Sequence, residues 1–299
     1  MPLTITRSFR VRYYECDAYG HLNNANYLRF MQEAAFDASA AAGYGLARYT
    51  QMGRLWLVRA TDIEYLRTVR YNEIVEVKTW VEGYQRVSSR RAYEFRTAGS
   101  EELVARAYTN WVFLDTASGR PAQIPQELKL AFFPEGLPEV SPPNLDFPPA
   151  PQPPPGVFKT RRRVAWREID SAQIVNNPVY LDYIEDCGMQ VIAAHGWPVD
   201  RMTSAGFAII LRRHQIEYLQ PARRDDELEI ATWASDVKRS SATRHYTISR
   251  VSDGALLAQI HTLGVWIDLA TGRPIRIPAD FIQNFAPNIV QDGTIRVGE

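Results

Sequence analysis

Cysteine is scarce in this chain: two in 299 residues, Cys16 and Cys187. That excludes a disulfide framework, and no cysteine pair has metal-ligand spacing. Long apolar runs are missing as well, since no stretch approaches the ~18 apolar residues of a membrane helix. The opening residues, Met1 to Arg10, alternate apolar and polar side chains instead of forming the unbroken apolar core of a signal peptide. An excess of one charge is also absent. Lys+Arg and Asp+Glu both total 34, whereas chains that live on nucleic acid carry a basic surplus. The five histidines (His21, His195, His214, His245, His261) never fall at zincin spacing, so no metal is expected. Gly-x-Ser-x-Gly, the nucleophile elbow of serine hydrolases, does not occur. Gly43-Tyr-Gly45-Leu-Ala-Arg48 lacks the third glycine of a dinucleotide loop and follows a helix. The expectation is a cytoplasmic chain without cofactor, metal, nucleic-acid partner or membrane partner.

What is present is an ordinary globular composition, 45% apolar and 23% charged, in a length that suits two domains. The chain is also written twice. Shifted by 153 positions without gaps, it matches itself at 38 of the 116 positions from Arg10 to Pro125, far above chance. Ile63-Glu-Tyr-Leu66 falls on Ile216-Glu-Tyr-Leu219, and Asp115-Thr-Ala-Ser-Gly-Arg-Pro121 on Asp268-Leu-Ala-Thr-Gly-Arg-Pro274. Asp17, Asn23, Asn24 and Tyr27 fall on Asp170, Asn176, Asn177 and Tyr180. Between the copies, 134–156 holds ten of the 19 prolines. Such a segment favours extended polyproline II at ~3.1 Å per residue, so it reads as a surface linker of up to ~70 Å. The expected domains are therefore 1–133 and 157–299, joined by 134–156.

Each copy has one coarse order. A strand (about Ile5–Tyr13; Lys159–Trp166) leads into an irregular loop carrying Asp17 or Asp170. A helix follows (about Ala25–Ala42; Pro178–His195), in which Tyr27, Phe30, Met31, Ala34, Ala38 and Ala41 form one apolar stripe. Asn24 and Asn177 stand where N-caps are expected, with Pro178 at the first helical position. Four strand-like runs come next: Leu55–Leu66, Ile74–Glu82, Ser88–Thr97 and Leu103–Leu114. Their counterparts are Ala208–Leu219, Leu228–Ser235, Ser241–Arg250 and Leu256–Ile267. Short connections such as Thr97-Ala-Gly-Ser100 suit an antiparallel meander. The predicted class is α+β, with two tandem domains that each wrap an antiparallel sheet around one long helix.

This order, together with Tyr14-Glu-Cys-Asp17-Ala-Tyr-Gly20-His21-Leu-Asn23-Asn24-Ala-Asn-Tyr27, resembles the hot-dog fold. More narrowly it resembles the 4-hydroxybenzoyl-CoA thioesterase family and its Asp-x-x-Gly-His-x-Asn-Asn-x-x-Tyr signature. Two fused copies are similar in layout to double hot-dog acyl-ACP thioesterases. The resemblance implies hydrolysis of an acyl-CoA or acyl carrier protein thioester to free acid and thiol. It also implies an intramolecular pseudo-dimer, with homo-oligomers beyond it. It makes Asp17 the catalytic carboxylate, as nucleophile or general base, with the thioester carbonyl near the amides of Asn26 and Tyr27. Chemically, the reaction needs such a carboxylate and donors for the developing oxyanion, and unsatisfied helix N-terminal amides supply the donors.

His21 is placed to polarise the carbonyl or orient the acid, or is merely solvated. Tyr14, Asn23, Asn24, Asn26 and Tyr27 are candidate substrate contacts, although the asparagines also suit turn and cap positions. Gly20 suits a backbone conformation that other residues resist. Asp170 is a second catalytic candidate with Asn176 and Asn177 beside it, but Gly20 is replaced by Gln173, His21 by Ile174 and Tyr14 by Arg167. Isoleucine can neither donate a hydrogen bond nor move a proton, so the second site is in doubt. Arg86 and Ser88, with Arg90 and Arg91 nearby, are candidates for the phosphate or pantetheine arm of coenzyme A. Glu33 and Asp186 are alternative helix carboxylates, and Cys16 has no counterpart at Ile169. A non-catalytic thioester-binding protein and a hot-dog enoyl-thioester hydratase are the competing readings.

Overall fold

The computed structural model describes residues 1–290, so the last nine residues of the expected second domain, 291–299, lie outside the described residues. The chain divides into two compact units, one ending at Phe147 and the other starting at Pro148. The proline-rich segment is thus shared, its first part belonging to the first unit and its second part to the second.

The first unit contains β1 (Thr4–Arg10), a single 3-10 turn (Tyr13–Glu15), α1 (Asn24–Ala41) and α2 (Leu46–Gln51). Strands β2 (Arg54–Tyr65), β3 (Ile74–Tyr84), β4 (Ser88–Thr97) and β5 (Leu103–Asp115) follow, and then α3 (Gln126–Phe132). All neighbouring strands are antiparallel, in the order β1-β3-β4-β5-β2. The expected meander therefore holds only for β3-β4-β5. β2 pairs with β5 and lies at the far side of the sheet from β3. Along β3, Val75, Val77, Thr79 and Val81 are buried and alternate with more exposed residues, as a half-buried strand requires. α1 lies across β1 and β3, with its stripe of Tyr27, Phe30, Met31, Ala34 and Ala38 buried. Phe30 stacks on Phe9 of β1 with ring centres 4.5 Å apart. Burying each large side chain of this set is worth ~1.5–3 kcal/mol.

The second unit repeats the plan. β6 (Phe158–Arg163), a 3-10 turn (Trp166–Glu168), α4 (Val179–Ala194) and α5 (Val199–Ser204) precede four strands. These are β7 (Phe207–Tyr218), β8 (Glu227–Ser235), β9 (Ser241–Arg250) and β10 (Leu256–Asp268), followed by α6 (Ala279–Phe285). The strand order is β7-β10-β9-β8-β6, again antiparallel. The sequence pattern did not anticipate the short helices α2, α3, α5 and α6. Three of them start directly after Pro125, Pro198 and Pro278, a usable start signal.

The caps also differ from expectation. Asn23 caps α1, its side-chain oxygen accepting from the Ala25 amide at 2.9 Å, and Asn24 is already helical. In the second unit the residue matching Ala25 is Pro178, which has no N–H to give. The Asn176 side-chain oxygen is accordingly buried without a hydrogen-bond partner, and α4 starts at Val179 after Pro178.

The proline-rich segment is tied down on the first unit. Ser141 accepts from the Tyr84 amide at 3.2 Å, and the carbonyls of Pro142 and Pro143 accept from Gln85 and Arg90. A Cβ on Gly83 would stand 2.8 Å from both Ser141 and Pro142, so the close crossing needs glycine there. In the second unit, Asn288 is wholly buried. It donates to the carbonyls of Gly156 and Thr232 and accepts from Arg244 at 3.0 Å.

Candidate active site

The loop between the 3-10 turn and α1 is built by backbone bonds that fold it onto the helix start. Cys16 bridges Leu22, the Asn23 amide donates to the Glu15 carbonyl at 2.9 Å, and the Asn26 side chain donates to the same carbonyl at 2.7 Å. At its tip the Asp17 amide donates to the His21 carbonyl at 2.7 Å, and the Gly20 amide to the Asp17 carbonyl at 3.0 Å. Asp17 Oδ1 accepts from the amides of Tyr19 and His21 at 2.9 and 3.0 Å. One carboxylate oxygen thus sets the turn. The other, Oδ2, has no hydrogen-bond partner among the described residues.

The second unit keeps this turn. Asp170 Oδ1 accepts from the Ala172 amide at 2.8 Å, and the Asp170 amide donates to the Ile174 carbonyl at 2.9 Å. Burial raises the Asp170 carboxyl above its ordinary range, with the Ala172 and Ile174 amides pulling the other way. Gly20 has φ +75°, and its replacement Gln173 holds φ +62°. A side chain in this left-handed region costs ~1–2 kcal/mol, of which glycine returns part through its freer unfolded chain. Gln173→Gly should therefore stabilise the second unit by about 0.5–1 kcal/mol, read as a higher urea midpoint. An unchanged or lower midpoint would mean that the Gln173 side chain makes a compensating contact.

Several expected contacts have other duties. Tyr27 is 2% exposed and packs edge-on against Tyr65, with Phe95 beyond. Asn26 is buried between the Glu15 carbonyl and Arg29. The Asn26 amide donates to the Asn23 carbonyl at 2.9 Å, and Ala25 is held by the cap. Of the first three helical amides, only that of Asn24 finds no acceptor among the described residues. The amide at this helix start that is open to an acceptor is therefore that of Asn24, not the Asn26 amide expected from the sequence. Tyr14 is exposed, with the Arg12 guanidinium 5.9 Å from its ring centre. His21 is half-buried, and its backbone bridges Arg70.

Ser88 is not open to a ligand, because its buried hydroxyl donates to Asn144 of the proline-rich segment at 3.2 Å. Arg90 pairs with Glu82, Arg91 is buried against Thr79 and Phe132, and Arg86 alone stays exposed. Glu33 is exposed, and Asp186 pairs with Arg162 at 3.5 Å. Asn177 and Asn24 present their carbonyls to Tyr218 and Tyr65, respectively. Burial, then the charges of Asp17 and Glu15, raises the Cys16 thiol, which disfavours the thiolate. No group of three or more His, Cys, Asp or Glu among the described residues could hold a metal ion. No helix among them is long and apolar enough to cross a membrane.

Sequence reasoning missed Glu15 and Glu168. Both are buried, and their carboxylates accept from the backbone amides of Arg12 and Ala165 at 2.8 Å. Glu168 also accepts from the Tyr183 hydroxyl and the Arg162 guanidinium. They pin the 3-10 turn that launches each loop. The signal was available, since Glu15 and Glu168 are identical in the internal alignment just after a strand.

Each unit matches a family model. Residues 2–132 match the acyl-ACP thioesterase N-terminal domain, and residues 164–285 the thioesterase-like superfamily. Among curated relatives, the palmitoyl-acyl carrier protein thioesterase of Gossypium hirsutum is 23% identical over 87% of this chain and 63% of its own length. The acyl-CoA thioester hydrolase YbgC of Escherichia coli is 24% identical over 43% of this chain and 96% of its own length. The chain spans only 40% to 63% of the length of the plant relatives it matches. A solved chain from Lactobacillus plantarum described as an oleoyl thioesterase has a TM-score of 0.75 and 19% identity, covering 88% of this chain and 96% of that one. The 12:0-ACP thioesterase of Umbellularia californica gives 0.70 at 19% identity, covering 88% and 94%. These structures share the hot-dog fold, and with both units matched by thioesterase models the chain belongs to the hot-dog thioesterase-like superfamily in its tandem form.

Proposed function

We propose that the chain hydrolyses an acyl-CoA or acyl carrier protein thioester, with its working carboxylate at Asp17. The observation that carries this reading is the split duty of Asp17. Oδ1 is committed to the Tyr19 and His21 amides, while Oδ2 is left without a protein donor on a loop folded over the start of α1. Oδ2 can take a proton from water as the water oxygen adds to the thioester carbonyl carbon, or can add to that carbon itself. The carbonyl oxygen then gains negative charge, which the helix N-terminus and its Asn24 amide stabilise. Collapse breaks the C–S bond, and the sulfur leaves with a proton. Where Asp17 is the nucleophile, water cleaves the resulting anhydride. Either course yields one carboxylic acid and one thiol, with no change of oxidation state.

The motif supports the 4-hydroxybenzoyl-CoA thioesterase branch. The names of the relatives support acyl groups carried by coenzyme A or by carrier protein. Two free cysteines suit a reducing, cytoplasmic setting, although the plant relatives are named as chloroplastic. The second unit, with Ile174 for His21 and Gln173 for Gly20, favours a supporting role in binding over turnover of its own. Thiol release from short, long and aromatic acyl-CoAs, and from acyl carrier protein, is the test. Free thiol is expected from at least one class. Saturable binding without thiol from any would leave a thioester-binding protein, and loss of enoyl absorbance without thiol would leave a hydratase.

A further inference from the structure

Beside the Asp17 loop the first unit exposes a cluster of rings that the proposed chemistry does not use. Tyr13 is 80% exposed and meets Tyr71, 52% exposed, edge to face with ring centres 5.9 Å apart. Tyr14 is 75% exposed. Large aromatic surface left in water is unusual unless something covers it. Arg70 adjoins these rings in sequence, and its backbone bridges His21, which places it at the edge of the loop. It is exposed and has no ion-pair partner among the described residues. Arg12 adds a second guanidinium, shared with Glu15 at 3.3 Å.

The internal repeat offers a comparison. The second unit has Gln173 and Ile174 for Gly20 and His21 and Ala165 for Arg12, and it keeps part of this pattern. Tyr13 becomes Trp166, 69% exposed, and Arg70 becomes Arg223. Tyr71 becomes Arg224, whose guanidinium lies 5.2 Å from the Trp166 ring centre. A ring and an arginine thus stand at the loop edge in both units, beside an aspartate and two asparagines that the loops also share. At the hairpin 84–91, by contrast, the segment around Ser141–Asn144 occupies Ser88 and Arg90 and leaves Arg86 as the exposed arginine.

We propose that the Tyr13–Tyr71 patch with Arg70 and Arg12 binds the adenine nucleotide end of a coenzyme A thioester. Exposed ring faces stack a purine, and guanidinium groups grip phosphate oxygens in pairs. A carrier protein presents the same pantetheine and one phosphate but no base to stack, so the rings select the nucleotide.

This inference rests on the thioesterase reading for its kinetic arm only. In a Trp166→Ala background, which removes the second patch, adenosine 3′,5′-bisphosphate should bind the chain. The double change Tyr13→Ala/Tyr71→Ala should weaken that binding by about tenfold, the effect of losing a stacked base. With active enzyme, the double change and Arg70→Ala should each raise KM for acyl-CoA by about tenfold and leave kcat and the KM for acyl-pantetheine within about twofold. The side chains are exposed, so the variants should melt with the parent. Absence of bisphosphate binding to the parent, or an equal rise in KM for acyl-pantetheine, would overturn the proposal. A KM rise confined to acyl carrier protein would overturn it in favour of a protein-docking face. If no thioester is hydrolysed but the bisphosphate still binds through Tyr13 and Tyr71, the nucleotide site stands and the hydrolase reading falls.

Discussion

Asp17→Asn should cut thiol release by about 10²–10⁴-fold, the usual worth of a positioned acid–base group, while Asp170→Asn keeps most of it. The change is chosen because asparagine keeps an oxygen where Oδ1 accepts from the Tyr19 and His21 amides. The turn should therefore survive, and the melting temperature should stay within about 2 °C of the parent, below the shift that a 1 kcal/mol loss produces. What is lost is the negative charge at Oδ2, the atom without a protein donor. Asp170 differs in two ways. Its carboxyl is raised by burial against the pull of the Ala172 and Ile174 amides, and its loop carries Ile174 where His21 would stand. The measurement is kcat for acyl-CoA hydrolysis, followed as free thiol, in both single variants and the double. A fully active Asp17→Asn enzyme with a dead Asp170→Asn one would move the chemistry to the second unit. Activity surviving in the double variant would remove both loop carboxylates from the mechanism.

Much of this arrangement is legible in the sequence because duplication makes it so. The repeat of Ile63-Glu-Tyr-Leu66 and Asp115–Pro121 places the strand ends, and the stripe from Tyr27 to Ala38 places the long helix. The pairing of β2 with β5 is not legible, since neighbouring runs in sequence read as hairpins until the connection 66–73 carries the chain away. The cap at Asn23 is ambiguous because two asparagines stand side by side, and only the Ala25 amide distinguishes them. Pro178 deepens the ambiguity, since the residue matching Ala25 has no N–H to cap and so argues against the Asn23 position. Ser88 looked available because nothing local announces that Asn144, 56 positions later, takes its hydroxyl. Long-range closure of this kind depends on where a proline-rich segment lies, which neither composition nor periodicity encodes.

Acidification should unravel the second unit before the first. His214 on β7, His245 on β9 and His261 on β10 are all buried, whereas the matching residues of the first unit are Thr61, Ala92 and Tyr108. Burial lowers His214 to about 3, and His245 and His261 to about 4. His245 is held down further by His261 and Arg244, against a weaker opposite pull from Asp236. It is paired in register with His261, the rings perpendicular and 4.5 Å apart, so the second proton is harder to add than the first. Its Nε2 shares a 2.7 Å hydrogen bond with Ser235.

In the unfolded chain these imidazoles titrate near ~6.5. Between that value and about 4 the unfolded state binds more protons than the folded one, so stability falls as pH falls. The contribution is complete above ~6.5 and is lost through the folded values, at ~1.4 kcal/mol for each pH unit per histidine. By pH 4 the second unit should have lost several kcal/mol, on the order of a whole domain's margin. Asp170 works in the opposite sense, since a raised carboxyl favours the folded state as it protonates, but it is one group against three. Hydrogen exchange followed by unit at pH 7 and pH 4.5 reads the difference. Peptides of β7, β9 and β10 should lose protection while those of β2, β4 and β5 keep it. His261→Tyr, which copies the first unit at that position, should flatten the dependence. Simultaneous loss in both units, or earlier loss in the first, would show that the buried histidines do not set the acid limit.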